Sequence, residues 1–265
     1  MSKLPRANKD LGQHFLRDSK IINGITTDYA KEADVIVEIG PGPAILTESL
    51  SRHNKALYVI EMDLRFKDYL EKWVAKDNII FTDALNFNWH EFIEQHKLQD
   101  KKIWLVSNLP YNISAPLFVS FLKVAQISFM TLMFQKEVGE KTYQHPSKKN
   151  QMNSLLALGQ NYFDSKLLLK VHPGAFNPPP KVESVVVTYQ RKLAPTIDLS
   201  EILDFESFLR ILFQFKRKQL GSVLKAHLKG QKEQFFNDIP IKSTSRAESL
   251  TIDDIYLLYN KFKAL

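Results

Sequence analysis

Short apolar runs rich in β-branched residues recur along the first two-thirds of the chain, each followed by a stretch with helical spacing. VIVEI (Val35–Ile39), ALYVIE (Ala56–Glu61), NIIF (Asn78–Phe81), IWLV (Ile103–Val106) and ISFMTLMF (Ile127–Phe134) predict strands. Ile45–Arg52, Leu64–Ala75, Trp89–His96 and Ala115–Val124 predict the helices between them. Ahead of these, Ser19–Glu32 gathers Ile21, Ile22, Ile25 and Tyr29 on one side of a further helix. Near-continuous apolar strands alternating with helices imply βαβ units and a Rossmann-like α/β architecture, a parallel sheet covered on both faces. LLLKV (Leu167–Val171) and SVVVTY (Ser184–Tyr189) are separated by a segment with four prolines, which forbids a crossover helix, so these last strands are expected to be antiparallel.

After Lys192 the pattern changes. LAPTID has the character of a linker, and residues 199–265 carry helical patterns alone. Phe205, Phe208, Leu209, Leu212 and Phe213 repeat at i, i+3, i+4, i+7 and i+8. Ser245 with Glu248 has the spacing of a capping box. The expected organisation is an α/β domain over residues 1–194 and a small all-helical domain over 195–265.

Composition narrows the function classes. The 265 residues include no cysteine, which excludes a disulfide framework, thiolate zinc sites and cysteine nucleophiles and suits a reducing compartment. No apolar run has the length of a membrane helix, and MSKLPRANKDLGQHFL has no apolar stretch before a cleavage site, so a cytoplasmic protein without a membrane partner is expected. Lys+Arg number 36 against 29 Asp+Glu, a formal net charge of +7. That surplus favours a polyanion, nucleic acid ahead of a membrane surface. The seven histidines are scattered without ligand spacing, so no metal is expected.

The strand ends carry the chemistry. The first ends in EIGPG (Glu38–Gly42), the second in Glu61, the third in Asp83 and the fourth in Asn108, which opens NLPY. In a doubly wound sheet, ligands sit beyond the carboxyl ends of the strands. A dinucleotide site wants G-x-G-x-x-G and an acid about 20 positions on; here the third glycine is missing and a second acid, Asp83, follows the first. One carboxylate suits a ribose diol and the other an adenine amino group, which points to a nucleoside cofactor without phosphates, S-adenosylmethionine. The plain alternative is a tight turn and two helix caps. NLPY then answers a specific need. The exocyclic nitrogen of adenine is a poor nucleophile because its lone pair is delocalised into the ring. Asn108 can offer a side-chain oxygen, and Leu109 or Pro110 a backbone carbonyl, to its hydrogens; Tyr111 can stack on the base.

With these residues the chain resembles the small-subunit ribosomal RNA adenine dimethyltransferases, relatives of the large-subunit enzymes of macrolide resistance. The shared pieces run in order: LGQHFL (Leu11–Leu16), VEIGPG (Val37–Gly42), VIEMD, TDAL (Thr82–Leu85), NLPYNIS (Asn108–Ser114), FQKEV (Phe134–Val138), AFNPPPKVESVVV (Ala175–Val187) and FKRKQLGSVLK (Phe215–Lys225). The resemblance implies a seven-stranded methyltransferase sheet with an antiparallel last strand. It implies dimethylation at N6 of two adjacent adenines near the 3′ end of small-subunit rRNA, with S-adenosylhomocysteine as product. It places His14, Leu16, Gly40, Glu61, Asp83 and Asn108 around the cofactor, makes Asn108, Leu109, Pro110 and Tyr111 the catalytic segment, and sets Phe176 over the other face of the target base. The chain departs from the family at His14, where Asn is usual, and at QMNS (Gln151–Ser154), where a Tyr-Gly-Arg run is common.

The expected RNA surface is Lys216, Arg217, Lys218 and Lys225 with Lys229, on a single helix that brings Lys218, Lys225 and Lys229 to one face (i, i+7, i+11). Lys148, Lys149 and the arm residues Lys3, Arg6 and Lys9 extend it. The partner expected is small-subunit rRNA in a pre-ribosomal particle, bound by a monomer. Two alternatives stand beside this reading: a non-catalytic RNA-binding, assembly or transcription factor on the same fold, and a methyltransferase acting on large-subunit rRNA.

Overall fold

The computed structural model describes residues 13–215, 217–228, 230, 232–237 and 239–265. The chain divides into two compact units. The first takes in residues up to Glu140 and then Ser165–Arg191; the second takes in Lys141–Asp164 and Lys192–Leu265.

Nine strands are present among the described residues: β1 (Phe15–Leu16), β2 (Val35–Ile39), β3 (Ala56–Glu61), β4 (Ile79–Phe81), β5 (Ile103–Asn108), β6 (Ile127–Gln135), β7 (Phe163–Val171), β8 (Phe176–Asn177) and β9 (Ser184–Arg191). Seven form one sheet in the order β4-β3-β2-β5-β6-β9-β7, and β1 pairs with β8 in a separate two-stranded ribbon. Neighbours from β4 to β6 are parallel and β9 runs antiparallel to β6. This is the expected Rossmann-like methyltransferase sheet with an inverted late strand. All five residues of β2 are buried, as a strand covered on both faces requires.

The core joins the inner face of Ser19–Thr27 to the sheet through Ile25, Ile36, Val59, Phe66, Trp104 and Met133. One polar network crosses it. Trp104 Nε1 donates to Thr131 Oγ1 at 2.9 Å, and the hydroxyls of Thr131 and Thr188 both donate to Asp28 Oδ2, at 2.7 and 2.6 Å. Asp28 is the C-cap of the first helix, so this network ties that helix to β6 and β9 with every donor satisfied.

The second unit packs helix Ser154–Tyr162 against helix Ile202–Phe213. Asn161 clamps the chain that leads into the latter, donating from Nδ2 to Ile197 O at 2.8 Å and accepting from Ile197 N–H at 3.0 Å. Phe205, Phe208, Leu209 and Leu212 are buried along one stripe, as their spacing predicts.

Three local expectations are corrected. Leu64–Ala75 is not one helix: a 3-10 turn (Leu64–Phe66) leads into a four-residue helix (Lys67–Leu70), anchored through Phe66, Leu70 and Val74. The segment from Phe215 to Lys225 is not a continuous helix either. Helix Ile202–Phe213 ends, Gln219 is extended, and a four-residue helix restarts at Leu220. The amides that would continue the helix are taken elsewhere: Leu220 N–H donates to Ser245 O and Gly221 N–H to Ser243 O, both at 2.8 Å. The capping box also lies further along than Ser245–Glu248. Thr251 and Asp254 form it, at the start of helix Ile252–Lys263.

Candidate active site

Strand register brings the predicted residues together. Ile39 at the end of β2 lies opposite Ile60 on β3 and Ser107 on β5, and Glu61 lies opposite Phe81 on β4. The four chain segments that leave these strands therefore start at one level. Beyond them lies a cavity of about 250 Å³. Its lining includes His14, Leu16 and Gly40, the acids Glu61 and Asp83, and the run Asn108–Tyr111.

The first wall is the glycine turn. Gly40 N–H donates to Ile60 O at 2.9 Å, and the backbone then turns through φ +64° at Gly40 and +54° at Gly42, a region costly for residues with a Cβ. A Cβ on Gly40 would meet nothing within 4 Å, so its backbone faces open space that a ligand can approach closely.

Glu61, 7% exposed, fastens this turn to β3. Its Oε2 accepts from Gly42 N–H at 2.9 Å, and Oε1 accepts from Met62 and Asp63 N–H, both at 2.8 Å. Burial raises its carboxyl above the usual range and the three N–H donors oppose that. Asp83 does what a cap does, accepting from Leu85 N–H at 3.0 Å and Asn86 Nδ2 at 2.9 Å, while still lining the cavity. The capping role and the ligand-facing position coexist.

Asn108 ends β5. Its Nδ2 donates to His14 O at 3.1 Å, which fixes the orientation of the amide. Leu109, 1% exposed, is anchored by its N–H on Met133 O at 3.2 Å, and Pro110 O accepts from Ile113 N–H at 3.2 Å. Tyr111 is held at three points: its hydroxyl bonds Ser184 Oγ at 2.9 Å, its carbonyl accepts from Ser114 Oγ at 3.1 Å, and its ring stacks on His14 with centroids 5.6 Å apart. His14 Nδ1 in turn lies 2.9 Å from Pro178 O.

Phe176 stands apart from the rest. It is 0% exposed, does not line the cavity and belongs to the core cluster that includes Phe15 and Phe66. In this arrangement β8 pairs with β1, Leu16 opposite Phe176, and the ring lies in the core.

Two residues with a part in the site carried no expectation. Glu38 lies mid-pattern in an otherwise apolar strand, a charged residue where all five positions are buried, and that conflict was the available signal. It lines the cavity, and the Thr47 hydroxyl lies near its carboxyl without good hydrogen-bond geometry to Oε2. Burial pushes its carboxyl up to about 8, the Thr47 hydroxyl opposes this, and the charge of Glu61 adds to it. Ser184, the partner of Tyr111, comes from distant β9; it opens the strand SVVVTY within the shared run AFNPPPKVESVVV, but no role was expected of it.

In the second unit Arg217, Lys218 and Lys225 are exposed, the first two in the turn before Leu220 and the third in a 3-10 turn, Lys225–His227. Lys216, Lys229 and the arm residues Lys3, Arg6 and Lys9 lie outside the described residues. No group of three or more His, Asp or Glu side chains that could hold a metal occurs among the described residues, and no helix there is long and apolar enough to cross a membrane.

The fold has solved relatives. A dimethyladenosine transferase from Plasmodium falciparum superposes with a TM-score of 0.71 at 24% identity, covering 95% of this chain and 98% of that one. The 23S rRNA methyltransferase ErmE does so at 0.68 and 21%, covering 94% and 99%. At the level of sequence, the ribosomal RNA small subunit methyltransferase A of Sulfurihydrogenibium sp. (strain YO3AOP1) is 35% identical over 98% of this chain and 97% of its own length. The protein of the same name from Staphylococcus aureus (strain JH9) is 32% identical over 96% and 89%. The family model described as ribosomal RNA adenine dimethylase matches residues 5–264, and the chain belongs to that family.

Proposed function

We propose that the protein transfers methyl groups from S-adenosylmethionine to N6 of two adjacent adenines near the 3′ end of small-subunit rRNA, acting as a monomer on a pre-ribosomal particle in the cytoplasm. The observation that carries the chemistry is the fixed amide of Asn108. One N–H of its NH₂ is held by His14 O, which fixes the amide and leaves Oδ1 on offer as an acceptor, and an acceptor is what an amine nucleophile needs.

The residues present fit the cofactor. Glu61 keeps one acceptor site, on Oε2, for a ribose hydroxyl after accepting three N–H groups, and Asp83 keeps acceptor capacity for an adenine amino group. Met62 and Leu85, both exposed at the cavity lining, offer apolar sides for a purine. Gly40 leaves its backbone approachable. When bound, S-adenosylmethionine supplies an electrophilic methyl group on a sulfonium and leaves as S-adenosylhomocysteine.

The chain's own residues orient the base. Asn108 Oδ1 and the remaining lone pair of Pro110 O accept the two N6 hydrogens, which favours the pyramidal geometry that frees the nitrogen lone pair. Tyr111 supplies a ring whose tilt is set by Ser184 and His14. Each transfer forms one N–C bond and releases one proton to water, so no strong base is needed. After the first methyl one N–H remains to be held. After the second none does, and the hydrogen bonds that retained the base are gone, which favours release.

A non-catalytic role is disfavoured by the same geometry, since a mere scaffold has no use for an oriented amide beside two cavity-lining acids. The test is incubation of the protein with labelled S-adenosylmethionine and unmethylated small subunits, large subunits, naked rRNA or DNA, followed by mapping of the modified base. Label at N6 of adjacent small-subunit adenines is expected. Label on large subunits alone would move the target, and none anywhere would favour the non-catalytic alternative.

A further inference from the structure

In the second unit the large aromatic side chains are inside: Phe205, Phe208 and Phe235 are 0–1% exposed. Phe215 is 46% exposed. It lies two residues past the end of helix Ile202–Phe213, in the turn closed by Lys218 N–H on Phe215 O at 3.2 Å. That turn sets Lys218 Nζ 4.2 Å from the ring centroid. The next residue, Gln219, pairs antiparallel with Arg246, and the adjacent amides of Leu220 and Gly221 bond to Ser245 and Ser243. A second cationic segment, with Lys242 and Arg246 exposed, is thereby bonded alongside the first. The helical expectation for Lys216–Lys225 hid this pairing, because it only exists where the helix is broken.

We propose that Phe215 is a stacking platform for an unpaired RNA base, flanked by cations from two segments, Arg217 and Lys218 on one and Lys242 and Arg246 on the other, that hold the neighbouring phosphates. The proposal rests on the reading of this unit as an RNA surface and deepens it. An aromatic face beside a row of positive charge matches the two parts of a single-stranded nucleic acid, a planar base and an anionic backbone. The ammonium of Lys218 covers one side of the ring and leaves stacking to the other. Duplex RNA offers no unpaired base and gains nothing from the ring.

The probes are a single-stranded RNA oligonucleotide and a blunt-ended two-strand RNA duplex of the same composition, each bound to the full chain across a series of KCl concentrations. Phe215→Ala is expected to weaken binding of the single strand by roughly fivefold to a hundredfold, the range for removing one base–aromatic stack, with the salt slope and the duplex affinity unchanged. Phe215→Trp is expected to keep the affinity and to show fluorescence quenching on binding. Lys242→Ala with Arg246→Ala should instead flatten the slope by about 0.7 for each single-strand phosphate that is no longer neutralised. Unchanged single-strand affinity for Phe215→Ala, an equal loss on the duplex, or an unquenched Phe215→Trp would each overturn the platform. If that happens while Lys218→Ala with Lys225→Ala still flattens the slope, the RNA reading of the unit survives without it. A slope that none of these cations affects sinks both.

Discussion

Asn108 lines the cavity of the first unit and Lys218 is exposed on the second, and they arrive there by different means. Asn108 sits where it does because β5 ends there, in register with β2 on one side and β6 on the other. Lys218 sits in a turn created by a tertiary capture, the amides of Leu220 and Gly221 bonding to the chain at Ser243 and Ser245. A parallel sheet converts position in sequence into position in space, because side chains and hydrogen bonds repeat with a fixed period. Irregular chain does not, so its surfaces depend on pairings that no local pattern encodes. The first unit's cavity should therefore respond to single changes sharply, and the second unit's surface by increments.

The largest expected effect tests the first half of that contrast. Asn108→Ala removes both the acceptor and the donor that holds His14 O, and turnover should fall by at least about 10²-fold, the loss typical of one preorganised hydrogen bond to a reacting group. Circular dichroism should show an intact fold. Turnover within a few-fold of wild type would end the assignment of Asn108 to the chemistry.

A second effect is on stability. The folded protein holds a proton on Glu38 between pH 4.5 and about 8 that the unfolded chain has lost. Stability from this group is therefore greatest below pH 4.5 and declines as pH rises to about 8, by up to about 1.4 kcal/mol per pH unit. The titratable neighbour is Glu61, whose raised carboxyl acts in the same direction, and Thr47 adds only a hydroxyl. Asp63 is held down to about 2 by Arg65 and titrates below the window. Urea unfolding of Glu38→Gln against wild type between pH 5 and 8 should show the slope in wild type and a flatter line in the variant. Parallel lines would mean that Glu38 is solvated in the folded protein. Smaller again is Glu61→Ala, expected to weaken S-adenosylmethionine binding by about 1–3 kcal/mol by calorimetry. An unchanged affinity would place the ribose elsewhere.

What could be read in advance follows the same division. β2 and β3 match VIVEI and ALYVIE residue for residue, because an apolar β-branched run ending at a glycine or an acid marks both the strand and its end. The cavity lining followed, since a parallel sheet with aligned ends leaves its terminal residues one place to go. Phe176 was harder. Its neighbourhood, AFNPPPK, shows a proline-rich loop, but only the pairing of β8 with β1 shows that the ring is inside. Helix Leu64–Ala75 failed because Phe66, Leu70 and Val74 repeat at helical spacing while short turns bury the same three side chains equally well. The helix expected across Gln219 and Leu220 failed because the acceptors that capture its amides, Ser243 O and Ser245 O, lie more than 20 residues away in sequence.

The smallest expected effect asks how far the sharpness of the first unit extends beyond its strand ends. Ser184 touches neither cavity nor ligand. It is 1% exposed on β9, at the register position opposite Gln135, and its hydroxyl meets the Tyr111 hydroxyl at 2.9 Å. Ser184→Ala should free the Tyr111 ring to tilt, lowering turnover on RNA by roughly threefold to tenfold, the worth of one ordinary hydrogen bond. S-adenosylmethionine affinity should be unchanged if the ring serves the base, the role proposed for it. Tyr111→Phe keeps the ring and loses the same bond, so it should cost about as much. The double variant should cost no more than either alone, since one bond can be lost only once. Additive losses would show that Ser184 acts through packing in β9 instead. Tyr111→Ala separates this from the stacking itself: if it too keeps normal turnover, the base does not rest on Tyr111 and Ser184 has nothing to position. If it abolishes turnover while Ser184→Ala and Tyr111→Phe stay at wild-type rates, the ring stacks without needing its hydroxyl held, and the register-fixed part of the site ends at Tyr111.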